Sequence, residues 1–138
     1  MKKFKKGTNI KVDVYRGELY ILYNYTSKEI QNWVKKSKLS KHAKKRIIGF
    51  YKHNGTSDSG VCHRDGLRCM INIQHSKKVY EVVDTLSHEV NHYVFGLMKY
   101  VNIELSDSSE EAFAYLNGYL MGEAYKQLIE PLISYNDR

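Results

Sequence analysis

The chain has 138 residues, 42% of them hydrophobic and 27% charged, with one proline, 12 tyrosines and a formal net charge of +7. A chain of this length fits one compact domain, expected to span residues 1–138, and buries about two-thirds of its unfolded surface, so neither a disulfide nor a structural metal is needed to fold it. The basic start lacks the apolar run of a signal peptide, no stretch reaches the length of a membrane span, and two cysteines make no secreted disulfide framework; these point to a cytoplasmic protein with free thiols and no membrane partner.

Residues 10–15 alternate apolar and polar as a half-buried strand does, and the tyrosine-rich residues 18–24 read as its partner across a turn at Arg16-Gly17. Thr26 and Glu29 have capping-box spacing and open a helix with Ile30, Trp33 and Val34 on one side. A second, basic helix follows, with Leu39, Ala43, Ile47 and Phe50 as its apolar stripe. Residues 53–60 are a loop by composition. Leu67–Gln74 read as a strand, and residues 77–101 as one long helix weakened near Gly96. Ser106 or Asp107 is expected to cap a last helix running to about Ile129, again with capping-box spacing from Asp107 to Glu110. Strands, helices, a strand and two helices in that order predict an α+β domain.

Charge is uneven. Residues 1–69 hold 17 Lys/Arg against 5 Asp/Glu, and residues 70–138 hold 5 against 10. Such a basic N-terminal half suits nucleic acid or an acidic partner, although no recognised nucleic-acid module accompanies it and lysines often form a solvated helix face.

His88-Glu89-Val90-Asn91-His92 is an HExxH pattern inside the predicted long helix. Residues four apart share one helix face, so both imidazoles can point at one ion about 2 Å away. Glu89 stands beside the first ligand and can reach a metal-bound water. Glu110-Glu111 follow about twenty residues later, near the start of the next helix, and an antiparallel return would bring one of them back towards the histidines. Two His and one Glu leave a fourth zinc position open, as catalytic sites do.

HEVNH with the later segment EEAFAYLNGYL resembles the gluzincin branch of the zincin metallopeptidases, and in particular small zincin-like proteins encoded mostly by phages. The resemblance covers about residues 82–122. It implies a minimal zincin-like fold, a small N-terminal sheet with the metal helix packed on a C-terminal helix. It also implies one Zn2+ per chain held by His88, His92 and Glu111. Phe95 and Met98 depart from the metzincin pattern, and Tyr115 stands where thermolysin-like enzymes carry Asp. The expected function is a zinc endopeptidase acting on a protein or peptide, with Glu89 as general base for a zinc-activated water. The alternatives are a zinc-binding scaffold without catalysis, in a phage particle or host complex, and a nucleic-acid-associated protein using the basic half.

Several residues carry secondary expectations. Tyr115 is a possible oxyanion partner or a packed aromatic. Asp84 or Thr85 is a possible orienter of a ligand histidine. Leu67–Gln74 is a substrate-pairing edge strand by resemblance. Gly118, Gly122 and Ala114 form a small-residue stripe for close packing on the metal helix. Cys62, His63 and Cys69 lack the spacing of a zinc finger.

Overall fold

A computed structural model describes residues 3–56 and 59–138. Its centre is a four-stranded sheet in the order β1-β2-β4-β3, with β1 Lys6–Val12, β2 Gly17–Tyr23, β3 Gly60–Asp65 and β4 Arg68–Ile73. The first pair is the expected antiparallel hairpin, although β1 begins earlier and stops at Val12. Asp13–Tyr15 form a single 3-10 turn, and Arg16 closes it in the left-handed region at φ 55.

β2 and β4 pair in parallel, and β3 pairs antiparallel with β4 across a turn at Gly66, which sits at φ +62. The two central strands are buried on both faces, so β2 reads as a continuous apolar run from Leu19 to Tyr23. Leu67–Gln74 was expected to supply an edge. Its core, β4, lies instead between β2 and β3, and the edges are β1 and β3. β3 falls in residues whose mixed polarity gives no strand period, because an edge strand buries only part of each face.

One layer of helices covers each face. On the first face, α1 Ser27–Lys36 and α2 Lys41–Asn54, with Leu39 between them, pack Ile30, Val34, Ala43, Ile47 and Tyr51 onto Tyr20, Leu22 and Met70. Thr26 accepts from the Glu29 backbone N–H while the Glu29 carboxylate accepts from the Thr26 N–H, completing the expected capping box. Tyr51, one residue beyond the predicted Phe50, is the deeply buried member of the α2 stripe. Gly55 caps α2, and Ser57 and Asp58 of the expected loop lie outside the described residues.

On the second face lie α3 Val79–Tyr100, α4 Glu110–Ala124 and α5 Glu130–Asn136. Val82, Leu86, Val90, Tyr93, Val94 and Leu97 of α3 meet Leu19, Ile21, Cys69 and Ile71 of the sheet. Each such fully buried aliphatic side chain contributes about 1.5–3 kcal/mol. Gly96 does not weaken α3, which runs on to Tyr100; the Arg64 side chain occupies the space that a Cβ at Gly96 would need.

The last helix also differs from expectation. Ser109, not Ser106 or Asp107, holds the N-cap position of α4, and its hydroxyl turns away to accept from the Ser106 N–H. A π-helical turn at Tyr125–Ile129 joins α4 to α5, where Pro131 stands in the first turn. Proline lacks the N–H that an α-helical turn would use, and widening the preceding turn relieves this. Among the described residues, no helix is long and apolar enough to cross a membrane.

Candidate functional site

The HExxH segment lies within α3, where it spans about one and a half turns. The face of α3 bearing Leu86, Val90 and Tyr93 is bound to the sheet, so helical phase turns His88 and His92 to the exposed side. Their Nε2 atoms are 3.2 Å apart and the rings meet edge to face at 78°. Glu89 is buried between α3 and the start of β3, with one carboxylate oxygen 3.9 Å from His88 Nε2. A Cβ at Gly60 would lie 2.4 Å from Thr85 Cγ2 and 3.2 Å from Glu89 Cγ, so β3 approaches α3 here only because Gly60 lacks a side chain.

The expected third ligand is not delivered. Glu111 is exposed and lines a groove with Val12, Asp13, Tyr15, Tyr115 and Tyr119, on the β1 side of α4. Glu110 lines a different cleft with Asn91, Val94 and Phe95 of α3. Adjacent helix positions face about 100° apart, and the phase of α4 is fixed by Phe113, Leu116 and Leu120 in the core. Among the described residues, no group of three or more His, Cys, Asp or Glu side chains is placed to hold a metal ion. That finding overturns the zinc endopeptidase assembled from His88, His92 and Glu111. The donor set of a catalytic zinc is incomplete, and no hydrolytic step through Glu89 follows.

Tyr115 is 78% exposed. Asp84 is exposed, and Thr85 packs at Gly60. Gly118 and Gly122 have open space where a Cβ would be, so their stripe is not a helix contact. Cys62 and Cys69 share the α3 side of the sheet, whereas His63 points to the other side and bonds Tyr51 of α2 at 2.7 Å. The three therefore form no metal site.

The basic half becomes a surface. From Lys28 to Lys52 the α1–α2 layer carries nine cations, Lys28, Lys35, Lys36, Lys38, Lys41, Lys44, Lys45, Arg46 and Lys52, against the single acid Glu29. Glu29 is itself paired with Lys5. Among the described residues, none of the nine lies within salt-bridge distance of a carboxylate. Ala43, Ile47 and Tyr51 hold α2 to the sheet, so its outward face reads Lys41, His42, Lys45, Arg46, Gly49, Lys52 and His53. Arg46 donates to the Arg64 carbonyl at 2.7 Å and Lys44 to the Lys35 carbonyl at 3.1 Å, which fixes two of the cations against the body. The acidic residues Glu110, Glu111, Glu123 and Glu130 sit on α4 and α5, with Asp137 at the α5 C-cap, across the sheet.

One feature of this layer, the placement of His63 against two rings of α2, escapes the sequence. His63 is buried beneath α2 beside Phe50 and Tyr51. Burial, with the Arg46 charge nearby, lowers its pKa to about 4, so it is neutral at pH 7. Neither contact has a sequence signal, because both cross from β3 to α2. No protein-family model matches the chain, and neither the curated proteins nor the solved structures provide a match.

Proposed function

We propose that the protein binds nucleic acid through the outer layer formed by α1 and α2, by contacts to the phosphate backbone. The observation that carries this reading is the concentration of nine cations on one side of the sheet, none of which, among the described residues, lies within salt-bridge distance of a carboxylate. Self-repulsion among them costs free energy that a polyanion removes. The α2 stripe from Lys41 to Lys52 runs about 16 Å along one helix face, at about 1.5 Å per residue. Gly49 lies within that stripe with nothing near its Cβ position, which leaves backbone open to close approach. Backbone-phosphate contacts fix register without reading bases, so the expected binding is weakly sequence-dependent.

The test is equilibrium binding of a labelled duplex at graded salt. With five phosphate contacts the log–log slope is about −4.5, and affinity falls several hundredfold between about 50 and 200 mM salt. Absence of binding at the lowest salt defeats the proposal.

A second reading rests on the histidine pair. His88 and His92 support chelation of a divalent transition-metal ion, Zn2+ among them, because 3.2 Å between the Nε2 atoms is less than twice a usual Zn–N length of about 2 Å. The remaining coordination positions would fall to solvent or a partner group. This reading retains the proposed kinship with zincin-like proteins and assigns no hydrolysis to the site.

A further inference from the structure

The cysteines belong to neither reading. Cys62 on β3 and Cys69 on β4 are diagonal neighbours: Cys62 stands opposite Ile71, and Cys69 opposite Arg64. Strand alternation sends both thiols to the α3 side of the sheet, where they pack in the main core. Their sulfurs are 3.0 Å apart and both are free thiols. Bonded sulfurs lie about 2 Å apart, so the two sulfurs must approach by about 1 Å to bond.

The two differ in access. Cys69 is fully buried, and burial together with the neighbouring Cys62 thiol pushes its pKa up. Cys62 is half-buried on the edge strand, reachable from solvent. Arg64, two residues along β3 from Cys62, places a cation near Cys69 that offsets part of the rise in its pKa.

We infer that Cys62 and Cys69 form a reversible dithiol site for low-molecular-weight disulfides, with Cys62 as the attacking thiol and Cys69 as the resolving one. The Cys62 thiolate attacks one sulfur of oxidised glutathione, forming a mixed disulfide and expelling one glutathione thiolate. Cys69 then loses its proton and attacks Cys62 Sγ, expelling the second glutathione thiolate. The protein dithiol is oxidised by two electrons to one disulfide, and one glutathione disulfide is reduced to two thiols. The product ties the edge strand β3 to β4 close to Glu89.

Intact-mass analysis of the native protein exposed to excess oxidised glutathione tests the order of events. The wild type should lose the mass of two hydrogens, with both thiols lost to a thiol reagent. Cys69→Ser should halt with the mass of one added glutathione, and Cys62→Ser should remain unmodified while folded. Wild type that keeps both thiols free, or that stops at the mixed disulfide, overturns the inference. So does Cys62→Ser that is glutathionylated as fast as Cys69→Ser. The wild-type mass alone decides the first two outcomes, should a variant fail to fold.

Discussion

The contact that pins the basic layer to the sheet is itself sensitive to acid. His63 Nε2 bonds the Tyr51 hydroxyl at 2.7 Å beneath α2, with Arg46 close by. Its pKa is about 4 in the folded chain against an ordinary 6.5. Protonation therefore favours the unfolded chain. The contribution of His63 to stability is fully present above pH 6.5 and is lost as pH falls towards 4. The displacement is about 2.5 pH units, and lowering the pH from about 7 to about 4.5 should remove about 2.5 kcal/mol. Carboxylates titrate over the same range, so the wild type alone does not isolate the effect. His63→Gln keeps a polar partner for Tyr51 and cannot titrate. Urea unfolding of both proteins at each pH gives the difference directly. The wild type should lose about 2.5 kcal/mol more than the variant between the two pH values. Equal losses would refute the argument that His63 is held neutral by burial.

The basic surface makes its own prediction. Lys41, Lys45 and Lys52 are exposed on one stripe of α2, so the triple change to Gln should leave folding intact; if all three contact phosphates, the salt slope of duplex binding drops by about 2.7 in fluorescence anisotropy titrations. Thr26→Ala removes the capping box and should cost about 1 kcal/mol in chemical denaturation. Gly60→Ala drives a methyl group into Thr85 Cγ2 at 2.4 Å, and should destabilise by about 1–3 kcal/mol in the same assay. In calorimetric titrations with zinc or nickel, His88→Ala and His92→Ala should each abolish any ion binding, while Glu111→Ala leaves it unchanged because Glu111 lines a separate groove.

Where a rule needed only neighbours in sequence, the reading mostly succeeded, the exception being the capping box expected from Asp107 to Glu110, since Ser109 holds the N-cap of α4. The hairpin, the Thr26–Glu29 capping box and the long amphipathic α3 follow from periodicity and cap chemistry. The His88–His92 pairing follows from helical spacing alone, and the rings do meet. The expected packing of α3 on a later helix, α4, is present, but expectations that needed particular side chains placed across elements failed. Glu111 required the rotational phase of α4, which Phe113, Leu116 and Leu120 set through contacts no local pattern encodes. β3 was missed because an edge strand carries no clear alternation, and the edge role went wrongly to β4 for the same reason. The charge imbalance was visible at once. The gathering of nine of the cations into one layer depends on α1 and α2 packing as a pair, and that packing is a tertiary fact.

The central claim is that α1 and α2 form the nucleic-acid face, and hydrogen exchange of the backbone amides with and without duplex DNA locates that face most directly. Added duplex should slow exchange across residues 27–54 and leave α3 and α4 unchanged. Slowing confined to α3 and α4, with residues 27–54 exchanging as in the free protein, would contradict it.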